Sequence, residues 1–381
     1  MDSAVEDRLD KIHAADGPSP LAFFSIYLVS AIGLYFCQRG GWYTLVSPLV
    51  MTFVAVPVFD VLMGVDTRNP SEAPPGLLAR AIYRLATWVA VPVEAALLLW
   101  GVWYVTRPEA SGLELLGIGV AVGISGGVTG ITVAHELVHR AGRVDRLLGS
   151  VLLAQVSYLH WAIEHVAGHH RRVATPADPA TARLGESLPA FMIRSIGLGF
   201  LSAWRIEAAR NGRRGARSPL ANRVLWGAFA SCLLGAAFAA LFGARGLVYF
   251  LLQSAVAVAF LETVNYIEHY GLERRLIRAG VYERVTPLHA WNAANRLTNA
   301  LLFNLQRHSD HHVWPTRLYF KLRHHPEGPQ LPTGYAGMAL LAMFPPLWRR
   351  VMDPRVAAHR ARLGEMQAPV DGAEGGAGAV T

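Results

Sequence analysis

Nine histidines lie in four short boxes, and each box adjoins an apolar stretch of the chain. In three of the boxes two histidines are four residues apart, at 135/139, 165/169 and 308/312. On an α-helix this spacing places both imidazoles on one face, where the pair can bind a single metal ion. Nine imidazoles exceed the roughly four to six donors that one first-row metal accepts, so the sequence predicts two ions. The nine candidate ligands are His135, His139, His165, His169, His170, His269, His308, His311 and His312.

The composition is typical of a protein that crosses a membrane several times. Hydrophobic residues make up 52% of the 381 residues, charged residues make up 16%, and the mean hydropathy is +0.29. A helix needs about 20 apolar residues to cross a bilayer. Six stretches are long enough, at residues 21–37, 43–63, 81–105, 115–134, 224–242 and 247–266. We therefore predict an all-α, polytopic membrane protein with about six transmembrane helices.

The distribution of arginine predicts the orientation of these helices. The connections after the first, third and fifth spans contain one arginine each, whereas residues 140–223 and the chain after residue 271 are densely basic. Basic connections stay on the cytoplasmic side. We therefore expect a multi-pass protein of the inner (cytoplasmic) membrane with both termini and all nine histidines on the cytoplasmic side. The formal charge of +8 then serves topology and contact with anionic membrane lipids, and no nucleic-acid partner is expected.

The remaining segments add little to this plan. Residues 1–363 are expected to form one integral membrane domain, and the Gly/Ala-rich stretch 364–381 a disordered tail. Residues 147–163 are apolar but interrupted by polar side chains, which favours a helix lying at the membrane interface. Cys37 and Cys232 both lie in apolar spans, so the sequence predicts no iron–sulfur or rubredoxin-type centre in this chain.

The first box admits a second interpretation. His135-Glu-Leu-Val-His139 has the HExxH pattern of zinc proteases, in which Glu136 would be the general base. An intramembrane zinc protease would leave the other box histidines without a role, and it stays a minor alternative. A non-catalytic carrier of metal or haem is a further one.

Several motifs outside the histidine pairs narrow the choice. They are Asp66-Thr-Arg-Asn-Pro70, Val173-Ala-Thr-Pro-Ala-Asp-Pro179, Asn265-Tyr-Ile-Glu-His-Tyr-Gly271 and Leu305-Gln-Arg-His-Ser-Asp-His-His312. With these motifs the chain resembles the alkane 1-monooxygenase family, membrane non-haem di-iron hydroxylases in the fatty acid desaturase-like superfamily. The resemblance implies that the nine box histidines bind two iron ions.

The same resemblance implies an activity. The protein would hydroxylate the terminal carbon of medium- to long-chain n-alkanes to 1-alkanols, using O2 and electrons from a rubredoxin-like donor with its reductase. Oxidation of an unactivated C–H bond requires a redox-active metal, which zinc is not. The alternative within this chemistry is a di-iron hydroxylase or desaturase that acts on methyl-aromatic compounds or fatty acyl chains.

Two polar residues precede the third box on one helical face. Glu262 and Asn265 lie seven and four residues before His269, so we expect them to orient a ligating imidazole or to relay protons. The alternative for Glu262 is an interfacial ion pair with arginine. The acidic residues inside the boxes are expected to accept hydrogen bonds from ligating imidazoles. They are Glu136, Glu164, Glu268 and Asp310.

A substrate channel is expected beneath the first box. Ile124, Val128 and Ile131 form a stripe below His135 that either lines an apolar channel or belongs to the ordinary helix core. The family resemblance adds Thr52, eight residues before Asp60, at a position where a bulky side chain is thought to limit the alkyl chain. A threonine there favours a longer channel.

Overall fold

The computed structural model describes residues 18–216 and 218–367. Five of its helices are long and apolar enough to span a membrane. They are Pro20–Cys37 (α1), Tyr43–Met63 (α2), Leu77–Val105 (α3), Gly112–Val138 (α4) and Arg223–His269 (α8). The predicted all-helical membrane architecture is confirmed.

The α8 helix contains the last two predicted spans. Gly243 leaves the helical region with φ 66° and ψ −166°, a left-handed conformation that glycine adopts without strain. Phe238 and Phe250 would lie roughly 18 Å apart on a continuous helix, yet their ring centroids are 4.8 Å apart. The chain therefore reverses at Gly243, and the two arms of α8 are the fifth and sixth predicted spans.

The α4 helix lies at the centre of the bundle, and glycines let α8 approach it closely. A Cβ atom added at Gly119 would meet Leu252, one at Gly123 would meet Val256, and one at Gly127 would meet Phe260. Small residues at helix interfaces permit this close packing. The same contacts place the end of α8, with its histidine box, beside the end of α4.

Helices that do not span a membrane complete the fold. They are Arg143–Gln155 (α5), the three short segments Trp161–Glu164, His165–His169 and His170–Arg172 (together α6), Leu188–Arg213 (α7), Arg296–Leu301 (α9), His308–Val313 (α10), Tyr335–Ala342 (α11) and Pro345–Gln367 (α12). Two antiparallel strands, Leu276–Arg278 (β1) and Val281–Tyr282 (β2), form a hairpin after α8.

The elements differ from the sequence analysis at three places. The helix expected over 147–163 ends at Gln155, because Ser157 adopts a left-handed backbone conformation and begins a new turn. The α7 helix was not anticipated. The α12 helix runs to Gln367, four residues into the segment expected to be a disordered tail, and the rest of that tail lies outside the described residues.

The close packing of α4 on α8 has a measurable consequence. In Gly123→Ala the added Cβ would lie 2.6 Å from the Cβ of Val256, so we expect a loss of about 1–3 kcal/mol from overpacking. The control is Gly197→Ala in α7, where a Cβ meets nothing within 4 Å. Thermal unfolding in detergent, followed by tryptophan fluorescence, should show a lower midpoint for the first variant only. An unchanged midpoint for Gly123→Ala would contradict this account of the packing.

Candidate metal centre

The four boxes converge from distant parts of the chain. The first lies at the end of α4, the second in α6, the third at the end of α8 and the fourth in α10. The nitrogen atoms of all nine predicted histidines assemble into two groups, within each of which they lie no more than 4.8 Å apart. The five-histidine group contains His135, His139, His165, His170 and His311, and the four-histidine group contains His169, His269, His308 and His312.

The two groups share two boxes. The second box places His165 and His170 in the five-histidine group and His169 in the four-histidine group. The fourth box places His311 in the five-histidine group and its other two histidines in the four-histidine group. The rings of His170 and His312 bring the groups together, with centroids 4.6 Å apart. The arrangement is therefore one bipartite site.

The predicted pairing of His165 with His169 is wrong, whereas the other two i,i+4 pairs each lie within one group. The backbone over His165–His169 is a π-helix, whose hydrogen bonds run from i to i+5. This wider turn aligns His165 with His170 instead, and their Nε2 atoms are 3.1 Å apart.

The nitrogen atoms face one another in a manner that fits bound cations. The Nε2 atom of His170 is 3.0 Å from that of His311, and the Nε2 atom of His308 is 2.9 Å from that of His312. The Nε2 atoms of His135, His139 and His169 are buried and have no hydrogen-bond partner among the described residues. At these distances either one imidazole donates an N–H to the next or a cation lies between the lone pairs, and imidazole suits iron, copper, nickel and zinc.

The protonation states also fit ligation. Burial lowers the pKa of His139 to about 4, with nearby His169 and Arg140 acting in the same direction. Burial likewise moves the pKa values of the other box histidines outside the spanning helices well below their usual range. These are His165, His170, His308, His311 and His312. Such imidazoles are neutral at pH 7, which is the form that binds a metal.

His169 differs because it has an acidic partner. Burial disfavours its charged form, but the Asp178 carboxylate raises the pKa of His169 above its usual value. Asp178 Oδ2 is 2.8 Å from His169 Nδ1, which leaves Nε2 directed toward the four-histidine group. Carboxylates commonly orient metal-binding histidines in this way. Asp178 belongs to the motif Val173–Pro179, but its spacing in the sequence does not indicate a contact with His169.

Four acidic residues were expected to contact box imidazoles, and Glu268 makes such a contact. Its Oε2 atom is 3.1 Å from His308 Nε2, so Glu268 is also within reach of the four-histidine group as an oxygen donor. Glu136 pairs with Arg140, Glu164 with Arg172, and Asp310 with Arg317 and with His325, which lies outside the boxes. These carboxylates hold the box helices in place rather than a box imidazole.

The Glu136 contacts also bear on the protease alternative. Its carboxylate pairs with Arg140 and accepts a hydrogen bond from the Tyr319 backbone N–H. A zinc protease requires this glutamate to face the metal-bound water as a base. Both contacts are made by Oε1, so the Glu136 carboxylate is held by Arg140 and Tyr319 and is not arranged for that role.

Glu262 and Asn265 lie together at a small polar cavity beside the histidines. Glu262 is buried and accepts a hydrogen bond of 2.9 Å from the Tyr158 hydroxyl, and Asn265 Nδ2 lies 3.5 Å from its other oxygen. No arginine pairs with Glu262 in the described part of the chain, so the interfacial ion pair is not present there. The cavity is also lined by His165 and His169.

An apolar cavity of about 130 Å³ lies inside the bundle. Three of the four predicted channel residues line it, namely Thr52, Ile124 and Val128. Ile131 lines a smaller cavity nearer the site, which also contacts His135, His165 and His308. The two cavities share wall residues on α4 and α8, so together they lead from the bundle interior to the histidines. Their common residues are Gly127, Thr132 and Val264.

Other residues that line the large cavity were not predicted from the sequence. Phe260 and Val264 belong to α8, and Tyr335, Ala336 and Ala339 belong to α11. Helical periodicity finds residues that share a face of one helix, but it does not indicate which helices surround a common space.

Known proteins are similar to this chain over most of its length. Residues 111–341 match the family described as fatty acid desaturase. The chain is 42% identical to alkane 1-monooxygenase 2 of Pseudomonas aeruginosa, over 88% of this chain and 92% of that protein. It is also 42% identical to the alkane 1-monooxygenase of Ectopseudomonas oleovorans, over 85% and 82% of the two chains. A more distant relative, at 28% identity over 86% of each chain, is the hydroxylase component of the xylene/toluene monooxygenase of Pseudomonas putida.

The match to the desaturase family covers more than half of the chain and includes all four boxes. The alkane 1-monooxygenases match nearly the whole sequence at about 40% identity. From the converging histidines and these relatives together, the chain belongs to the alkane 1-monooxygenase family, within the larger fatty acid desaturase family.

Proposed function

We propose that this protein is a membrane monooxygenase that hydroxylates the terminal carbon of n-alkanes. The observation that carries the proposal is the position of two neighbouring all-histidine groups at the inner end of an apolar cavity. An alkane has no polar group for recognition, so its binding depends on apolar surface and on the shape of the cavity. The names of the relatives support terminal hydroxylation as the reaction.

The proposed cofactor is a pair of iron ions, one in each histidine group. Iron, when bound, supplies the redox chemistry with O2 that breaking an unactivated C–H bond requires. His135, His139, His165, His170 and His311 would hold one ion, and His169, His269, His308 and His312 the other. Two separate groups of converging nitrogen atoms support a count of two.

The apolar cavity would orient the substrate. Its walls are mainly apolar, with some serine and threonine residues among them, and they lead to the histidines through the smaller cavity at Ile131. The alkyl chain would lie along Thr52, Ile124 and Val128, with one end directed to the site. The substrate would enter from the bilayer, where alkanes concentrate.

Glu262 is proposed to pass protons toward the site. Each hydroxylation consumes O2, two electrons and two protons and releases one water together with the alcohol. The polar cavity at Glu262 has room for about one water molecule. Tyr158 and Asn265 hold the carboxylate beside the water position, next to His165 and His169. This cavity shares no wall residue with the large apolar cavity, but it shares Trp161, His165 and Asn265 with the smaller one, so protons and substrate would reach the site from adjoining spaces.

Electrons are proposed to come from a separate rubredoxin-like protein with its reductase. The chain contains two cysteines, fewer than the four that bind a rubredoxin iron. Arginine-rich connections favour an inner-membrane protein with both termini and the histidines on the cytoplasmic side. A soluble donor would then reach the site directly.

Oxidation of methyl-aromatic compounds is the second candidate, because the xylene/toluene relative matches 86% of the chain. The test is to reconstitute the purified protein with iron, rubredoxin and its reductase, and to identify products from n-alkanes, xylenes and fatty acids. We expect 1-alkanols as the main products. Xylene-derived alcohols formed at a higher kcat/KM than any alkanol would favour the second candidate, and no oxygenated product from any substrate would refute both.

Loss of a histidine should remove iron in a group-specific manner. His139→Ala and His312→Ala each take one imidazole from a different group, so we expect each to lose about one iron per chain and nearly all turnover. His324→Ala is the matched control, because His324 is a half-buried histidine outside both groups. Iron would be measured by elemental analysis. Full iron content in both group variants, or one zinc per chain with normal activity, would contradict the assignment.

A bulky residue at position 52 should shorten the accepted alkanes. In Thr52→Trp the indole would fill part of the apolar cavity, and each methylene excluded costs about 0.8 kcal/mol of binding, roughly a fourfold loss. Long alkanes should lose at least about tenfold in kcat/KM relative to short ones, with iron content unchanged. Val54→Trp is the control, because Val54 lies on the same helix but faces outward with 54% exposure. Identical product profiles for Thr52→Trp and the parent would exclude position 52 from the channel.

Removing the carboxylate of Glu262 should slow proton delivery. Glu262→Gln keeps the size and the hydrogen bond with Tyr158 but cannot take up and release a proton. We therefore expect kcat to fall roughly 10- to 100-fold and the solvent deuterium isotope effect on kcat to increase. Iron content and the KM for alkane should not change. Glu207→Gln, which removes a buried carboxylate paired with Arg223, controls for loss of buried charge. An unchanged isotope effect with a normal kcat would refute the role of Glu262.

A further inference from the structure

Only one of the two histidine groups approaches the protein surface. All four members of the four-histidine group are buried, whereas His139 and His170 of the five-histidine group are half-buried. Their rings are neighbours, with centroids 4.6 Å apart. Electron transfer weakens steeply with distance, so a donor outside the protein has its shortest path through these two imidazoles.

Unpaired positive charge adjoins these two histidines. Arg143 follows the first box and Arg171 follows His170 directly, and both side chains are exposed. Neither forms an ion pair with any residue in the described ranges 18–216 and 218–367. Charges free of an internal partner are available to a partner protein.

The β1–β2 hairpin is attached to the same place. Arg274, at its base, donates hydrogen bonds of 2.8 Å to the carbonyl oxygens of Arg171 and Val173. These bonds hold the hairpin against the turn that follows His170. The hairpin therefore stands beside the exposed edge of the five-histidine group.

The hairpin presents apolar side chains together with positive charge. Leu276, Ile277 and Val281 are 53%, 61% and 39% exposed, and Arg278 lies beside them on β1. A two-stranded hairpin gains little stability alone. Contiguous exposed apolar residues rimmed by polar ones mark interaction sites, and three such residues lie together on this hairpin. Apolar contacts surrounded by arginine are typical of protein interfaces.

We propose that these features form one docking surface, called the entry surface, for a small acidic electron-carrier protein. It consists of the edges of His139 and His170, Arg143, Arg171 and the hairpin at 276–282. The partner would place its redox centre over His139 and His170, and electrons would enter through the five-histidine group. The inference rests on the proposed function and adds the location of the donor and the group that it serves.

The charges support this occupant. The chain carries a net charge of +8, so an acidic partner is attracted to it before contact. Transient redox complexes have small interfaces, which a short hairpin and a few arginines can provide. A lipid surface is the competing occupant of the aliphatic side chains, but a bilayer over this surface would close the edge at His139 and His170 to a soluble donor.

The test measures binding without turnover. Zinc-substituted rubredoxin, which is redox-inert, is titrated into the full-length protein in detergent at low ionic strength, and the heat of binding is recorded. We expect Ile277→Ser and Arg278→Glu each to weaken binding at least tenfold, and salt to weaken the binding of the parent protein. Arg213→Glu is the control with the same charge change. Arg213 serves as the control because it lies away from the entry surface. It is at the end of α7, roughly 16 Å along the helix from Ser202, which contacts Arg172 beside that surface.

Two results would overturn the entry surface. One is that the hairpin variants bind zinc-substituted rubredoxin as tightly as the parent. The other is that they lose binding to vesicles containing anionic lipid while rubredoxin binding stays unchanged, which would make the hairpin a membrane contact. Alkane hydroxylation driven by dithionite separates this failure from that of the function. If the parent protein hydroxylates alkanes with dithionite but the hairpin variants bind normally, only the entry surface is refuted.

Discussion

Nine imidazole rings placed within a few ångströms of one another are the constraint that the rest of the protein has to satisfy. Their nitrogen lone pairs converge, and burial keeps most of the rings outside the spanning helices neutral. Helix ends alone would not hold such an arrangement. Ion pairs stiffen the segments that contain the boxes. They link Glu136 to Arg140, Glu164 to Arg172, and Asp310 to Arg317. A pair of this kind contributes rigidity when its hydrogen bonds are complete and costs stability when one partner is lost.

The packing of the spanning helices brings the histidine boxes together. Glycines on α4 bring α8 close enough for two boxes to meet, and the reversal at Gly243 returns the chain to the histidine side. The space left between α1, α2, α4, α8, α9 and α11 is the apolar cavity. On another side of the histidines the walls become polar at Glu262 and Tyr158. The fold thereby brings a large apolar cavity and a small cavity with polar walls to different sides of the histidines.

Much of this could be predicted from sequence because it depends on composition and local spacing. Hydropathy located all six spans, including the two arms of α8, and the histidine count indicated a site for two ions. Helical periodicity found the cavity-lining residues on α4, whereas Thr52 on α2 came from the family resemblance. In contrast, the pairing of Asp178 with His169 and of Tyr158 with Glu262 joins elements whose meeting is decided by tertiary packing. The α7 helix was missed because its mixed composition has neither the length of apolar sequence nor the clear periodicity that identifies the spans.

The division of the histidines into two groups was hidden for a different reason. Any argument from an i,i+4 spacing assumes α-helical winding, and three segments next to the cavity or the site are π-helical instead, at Met51–Ala55, Gly126–Ile131 and His165–His169. A π-turn accommodates one more residue than the α-turn it replaces. The histidines that share a group therefore depend on the number of residues in each turn as well as on residue type. Variation among relatives by insertion or deletion of a single residue in these segments would rotate every side chain beyond that point, and would change the cavity and the metal geometry while leaving all nine histidines in the sequence.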